Sequence, residues 1–150
     1  MIFRFILAAA AATLSYGGPQ TALAADLTIT INSLRNDHGQ VLLCVFSAES
    51  SDKKAFPDCE KGKPIRSQKA AVAGGKVVVT YYGLKDGEYA VAMIHDENAN
   101  GKLDTNFVGI PTEGLGVSNN PRLTGAPGYD EAKFKVSGNT AVTITAKYFL

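Results

Sequence analysis

The sequence predicts an all-β domain: an antiparallel Greek-key β-sandwich of about seven short strands with one long loop. Three observations carry that expectation. Apolar residues alternate with polar ones at a period of two, as where Leu27, Ile29 and Ile31 are set among threonines. Clusters of Gly, Asn, Asp and Ser separate one such run from the next. Beyond the first two dozen residues, no window of about 11 residues keeps a helical period.

Taken in order, residues 1–24 read as an export signal and 25–150 as a single sandwich domain. Arg4 supplies the positive start, Phe5 to Leu14 (FILAAAAATL) is an apolar run too short for a good membrane span, and Ala22-Leu23-Ala24 has the small-x-small form that signal peptidase cuts. The expected location is therefore the periplasm or the extracellular space, with nothing left to span a membrane after cleavage. Lys and Arg number 15 and Asp and Glu 14. Losing Arg4 balances the charge, and no basic, aromatic-rich patch suits a nucleic acid. The two cysteines, Cys44 and Cys59, are an even pair in an oxidising compartment, which predicts a disulfide between them.

The first strand runs from Leu27 to about Leu34, and Arg35 to Gly39 is a turn cluster. Val41 to Phe46 is apolar on both sides, as a central strand should be. A long polar loop from Ser47 to Lys63 follows, then a weak edge strand from Ile65 to Val72. Lys76 to Tyr82 (KVVVTYY) is a strong strand. Gly83 to Gly87 is expected to turn it back as Tyr89 to Ile94 (YAVAMI). At the end, Ala132 to Val136 and Ala141 to Tyr148 are expected to close a hairpin around Ser137-Gly138-Asn139.

The exception to this regularity is the stretch from Asp96 to Asp130, too long and too rich in Gly and Asn for an ordinary connection. Its first part, HDENANGKLDTNF, sets Asp96, Asn98, Asn100, Gly101 and Asp104 at positions one, three, five, six and nine of a calcium-type loop. Alternate side-chain oxygens would point inward around a hard cation, with the glycine making the sharp turn. Position twelve, where a bidentate carboxylate belongs, is Phe107, so Glu113 or a residue such as Asp86 would have to complete the shell. Asn and Asp also brace turns by bonding to nearby amides with no ion present, and both readings stay open.

The segment GLKDGEYAVAMIHDENANGKLDTNFVGIPTEGLGVSNN, followed by GAPGYDEAKF, resembles the bacterial family named domain of unknown function 2141 over essentially the whole of residues 25–150. The resemblance implies an exported protein with a transthyretin-like or immunoglobulin-like sandwich and no characterised activity. The loop is also similar to calcium loops in repeat modules of Gram-positive surface adhesins. That likeness implies a ligand set of Asp96, Asn98, Asn100, Lys102 through its carbonyl, and Asp104.

Two functions from different classes follow. One is a non-catalytic exported module, calcium-braced, binding a cell-envelope protein or glycan. A surface of His95, Phe107, Ser118, Asn119, Asn120 and Tyr129 would supply the contacts. The plainer expectation for the same loop is that Phe107, Val108 and Ile110 plug one end of the sandwich. The other function is a small hydrolase or lyase using His95 with neighbouring carboxylates. Against it, a histidine at a strand end is more often structural, and that is the expectation for His95.

Overall fold

Leu27, Ile29 and Ile31 have no exposed surface, while Thr28 and Thr30 between them are partly exposed. This is the period-two burial that the threonine alternation predicts. The strand they form, β1 (Ala25–Asn32), lies in the computed structural model, which describes residues 24–122 and 124–150. The expected export signal falls, except for Ala24, outside the described residues. After β1 come β2 (Gln40–Ser47), β3 (Arg66–Ala71), β4 (Val77–Leu84), β5 (Gly87–Asp96) and β6 (Gly114–Val117). A single helical turn α1 (Tyr129–Ala132), β7 (Phe134–Val136) and β8 (Thr140–Thr145) complete the order.

Two sheets face each other. One has the order β4-β1-β8, the other β3-β2-β5-β6, with β7 also on β5. β6 and β7 share one edge of β5 end to end: β6 pairs with Ala92 to His95 and β7 with Gly87 to Tyr89. Val41, Leu43, Val45, Val91 and Met93 point inward onto Leu27, Ile29, Ile31 and Ile144, forming the main core. The sandwich and the central position of β2 are as the sequence predicts, and the weak edge strand is β3.

Four features differ from expectation. β4 and β5 are not a hairpin: β4 pairs with β1 in the first sheet, and the short turn after Leu84 carries the chain across to the second. β7 and β8 likewise belong to different sheets, and β8 runs parallel to β1. The stretch Asp96 to Asp130 is not all loop, since it contains β6 and the start of α1. Last, Phe107, Val108 and Ile110 plug nothing. Phe107 is fully exposed, Val108 is 61% exposed and Ile110 40%.

Glycine explains how β6 fits where no strand was expected. A Cβ on Gly116 would sit 2.7 Å from Ile144 Cγ2, and one on Gly114 would enter the Tyr148 ring. The two residues facing inward must therefore be bare. That lets β6 press close to the C-terminal segment, which Leu115 bonds in both directions through Lys147.

The outer face of the second sheet is also apolar, and a second, smaller core covers part of it. Cys44, Phe46, Ala90, Ala92 and Val117 pack there under Phe56, Tyr129 and Ala132. The loop after β2 forms the lid. Phe56 stands edge-on to Phe46 at 5.0 Å and to Tyr129 at 5.8 Å, and the expected Cys44–Cys59 disulfide ties the lid to β2. The bridge closes 15 residues, so Cys44→Ala/Cys59→Ala is expected to lose about 3 kcal/mol. Urea unfolding checks this. A loss under about 1 kcal/mol would mean that the aromatic contacts hold the lid unaided.

Candidate functional site

The lid is incomplete, and the gap it leaves is a groove of about 820 Å³ on the outer face of the second sheet. Its floor is Leu42, Ile94 and Leu115, each partly exposed, with Ala92 and Val117 behind them. Its walls come from the lid around Cys59, the loop segment Gly101 to Leu103, Gly109 to Pro111, Thr124 to Pro127, and Phe149. The volume is in the range of small-molecule sites, about 300–1,000 Å³. Sequence reasoning missed the floor residues. Their signal was present in strands β2 and β5, apolar on both faces, which demands a cover on both.

The segment from Asp96 to Glu113 builds one wall of this groove from a chain of local hydrogen bonds. Asp96 is fully buried. Its Oδ1 accepts the Asn100 amide N–H at 3.0 Å, and its Oδ2 accepts the Gly101 amide at 2.8 Å and Gln40 Nε2 at 2.8 Å. Asn98 and Asn100 both donate side-chain N–H groups to the Asp104 carboxylate. Lys102 joins through its amide, which donates to Asn100 Oδ1 at 2.8 Å. Gly101 has φ +83, a left-handed conformation that other residues resist. These bonds are those of an Asx-braced turn, and they engage both carboxylates with N–H donors.

Glu113, one of the residues considered for completing the loop, does reach back into it. Its Oε1 accepts the Glu97 amide at 2.8 Å and its Oε2 the Asp104 amide at 3.0 Å, with the side chain buried. Beyond this clamp, Thr105 and Pro111 bridge the arms of a small hairpin. Asn106 Oδ1 accepts the amides of Val108 and Ile110 across its tip. The clamp and the braced tip hold Phe107 and Val108 out in solvent.

His95 belongs to the opposite side. Successive residues of a strand face opposite ways, so His95 lies in the interior while Asp96 faces outward. The ring is fully buried, with Nδ1 at 2.7 Å from the Tyr148 hydroxyl and Nε2 at 2.9 Å from the His38 carbonyl. A carbonyl only accepts, so Nε2–H donates and Nδ1 accepts from Tyr148. The Tyr148 oxygen in turn accepts the Arg35 amide at 3.1 Å. Arg35 also pairs side-on with Glu97, at 3.0 Å through Nε and 2.6 Å through Nη2, and donates to the carbonyls of Thr112 and Leu150. That ion pair holds the Glu97 carboxyl below its ordinary range, against the cost of burial. His95 therefore has no open route to a substrate, and both its ring nitrogens are taken by Tyr148 and His38 rather than by a carboxylate. It is structural, as expected, and the hydrolase or lyase reading finds no support here.

The other residues of the expected ligand surface are placed as follows. Ser118 is fully buried at the joint between β6 and β7. Its amide donates to the Val91 carbonyl at 3.0 Å, its Oγ accepts the Val91 amide at 2.9 Å, and its hydroxyl donates to the Ala132 carbonyl. It replaces a missing strand partner. Asn119 and Asn120 are exposed, but their side chains bond to the backbone of Glu131, Lys133, Thr143 and Thr145. Tyr129 is buried and donates to the Glu88 carbonyl, and burial, which disfavours its anion, pushes its pKa up to about 12. Of the expected ligand surface, His95, Ser118 and Tyr129 are buried, and Asn119 and Asn120 are exposed but bonded to the backbone. Phe107 is fully exposed, on the loop whose residues Gly109 to Pro111 line the groove. Ser118→Ala is expected to cost about 2 kcal/mol, because the Val91 amide is left without an acceptor. It should also speed hydrogen exchange at that amide, and exchange unchanged from the parent protein would rule out this role.

Among the described residues no helix is long and apolar enough to cross a membrane. No curated protein and no solved structure matches the chain. A family model described as "Uncharacterized protein conserved in bacteria (DUF2141)" matches residues 29–145, from Ile29 in β1 to the end of β8. Strands β2 to β8, the braced loop and the groove apart from Phe149 fall within the match, and the chain belongs to this bacterial family, domain of unknown function 2141.

Proposed function

We propose that the protein is an exported, non-catalytic binding module whose groove receives an apolar group of another cell-envelope component. One observation carries this reading. An apolar groove of about 820 Å³ lies open beside Phe107, Val108 and Ile110, which a hydrogen-bonded loop holds in solvent. Exposed apolar side chains are stabilised by collapsing onto apolar surface, and here local bonds keep Phe107 and Val108 in solvent while Ile110 lines the groove wall. Rigid, preformed apolar surface reduces the ordering cost of binding. The floor offers no hydrogen-bonding side chain, which favours an apolar partner group over a glycan. Export rests on the charge, apolar run and Ala22-Leu23-Ala24 pattern of the first residues. Calcium at Asp96, Asn98, Asn100, Lys102 and Asp104 is a candidate brace for the loop, supported by the one-three-five-nine spacing of Asp96, Asn98, Asn100 and Asp104 in the sequence.

The test has two parts. Protein recovered from the cell envelope or medium should begin at Ala25 or Asp26. An environment-sensitive apolar dye should bind it and should be lost from Ile94→Arg, which places a charge on the partly exposed floor. Dye binding that survives Ile94→Arg in a protein of unchanged melting temperature would overturn the groove. A chain that still begins at Met1 would overturn export.

A further inference from the structure

Building on the groove proposed above, we infer that its ligand is a single-chain amphiphile with an anionic headgroup, such as a fatty acid or an alkyl phosphate. The pairing register sets out the site. Lys69 of β3 lies opposite Leu42, Leu42 opposite Ile94, and Ile94 opposite Leu115. Directly paired residues point to the same face, so these four side chains form one row across the outer surface, apolar except for a lysine at its end. The next row, Ser67, Cys44, Ala92 and Val117, carries no charge and runs under the disulfide.

A second lysine joins the first. Lys102 lines the groove, and the Lys69 ammonium lies 4.0 Å from where a Cβ on neighbouring Gly101 would stand. Both lysines are exposed, and neither makes an ion pair among the described residues. The two carboxylates on the groove's lining sit at the lid. Asp58 is bonded to the amides of Glu60 and Lys61 and paired with Lys61, while Glu60 is exposed at the rim. At the lysine end the Asp96 and Asp104 carboxylates are turned to internal N–H donors of Gln40, Asn98, Asn100 and Gly101. The exposed Lys69 and Lys102 ammonium groups are thus left to meet an anion, while exposed Glu60 repels it from the lid end. This orients a tail along the apolar rows toward Ala92 and Val117. The alternation of charge and floor matches one head and one tail.

The natively isolated protein is titrated by calorimetry with dodecanoate, dodecyl phosphate, dodecanol and dodecyltrimethylammonium, each below its micelle concentration. Saturable binding of both anions, about tenfold or more tighter than the alcohol and with the ammonium weakest, is the expected result. The carboxylate and phosphate arms show which headgroup is preferred. Lys69→Gln/Lys102→Gln, two exposed sites, should weaken the anions by about tenfold or more and leave dodecanol unchanged, with an unchanged melting temperature showing that the fold is intact. Alcohol and anions binding equally, or anions unaffected by the lysine changes, would overturn the headgroup assignment while leaving the groove in place. No binding of any chain, with dye binding still lost in Ile94→Arg, would overturn the amphiphile and keep the groove reading. Loss of the dye result as well would remove both. Sedimentation with phosphatidylglycerol vesicles without binding of the monomeric amphiphiles would place the contact at a membrane surface and overturn the inference.

Discussion

Replacing His95 with alanine is expected to cost about 4 kcal/mol of folding stability, the largest single effect in the molecule. Two losses add. The imidazole is fully buried, so its removal leaves a cavity between the sheets near their C-terminal corner. It also breaks a directional series in which the Arg35 amide donates to Tyr148, Tyr148 to His95, and His95 to the His38 carbonyl. That series ties the first turn, β5 and the chain end together, so its interruption acts beyond the site of change. His95→Gln restores an amide to one partner and should lose only about 1–2 kcal/mol. In a double-mutant cycle with Tyr148→Phe, the pair should couple by about 1 kcal/mol. Urea midpoints measure all of these, and His95→Ala within about 0.5 kcal/mol of the parent would refute the structural role.

The sequence made that role legible only in outline. A histidine ending a strand is expected to bond, but its partners come from the turn Arg35 to Gly39 and from Tyr148, far along the chain. The same limit runs through the fold. Alternation in β1 and the double-faced apolar run of β2 are local, and they identified strands and layers correctly. Sheet membership is not local. Gly83 to Gly87 has the residues of a hairpin turn, yet β4 pairs with β1 because Val77, Val79 and Tyr81 are buried against the first strand rather than beside β5. β6 was hidden because Gly114 and Gly116 are poor strand formers by propensity, and the reason for them is the nearness of Tyr148 and Ile144. Phe107 shows the converse. By composition it belongs inside, and only the Asn106 brace across its hairpin, a product of the assembled loop, puts it in water. The groove needed the second sheet, lid and loop in place before it existed at all.

Asp96→Ala is the second large effect, expected at about 3 kcal/mol, because it strips acceptors from the Asn100 and Gly101 amides and from Gln40 at once. Burial by itself would raise the Asp96 carboxyl. Hydrogen bonds from Gln40, Gly101 and Asn100, with the field of Lys69, outweigh it and hold the pKa below the ordinary 3.8. A carboxyl whose folded pKa is depressed contributes stability that is present above its unfolded pKa and is lost as pH falls through the folded value. The parent should thus lose stability on acidification below about pH 4, and Asp96→Asn should lose less over that range. An identical acid dependence in the two proteins would show that the carboxylate is not held in this way. Calcium enters as a separate measurement on the same loop. If it braces Asp96 and Asp104, ion at tenfold its dissociation constant should add about 1.4 kcal/mol, a few degrees in melting temperature. The gain should vanish in Asp96→Asn/Asp104→Asn, which leaves only neutral side-chain oxygens for a divalent cation. Melting curves that coincide in millimolar calcium and in chelator would retire the ion and leave the turn braced by Asn100, Gly101 and Glu113 alone.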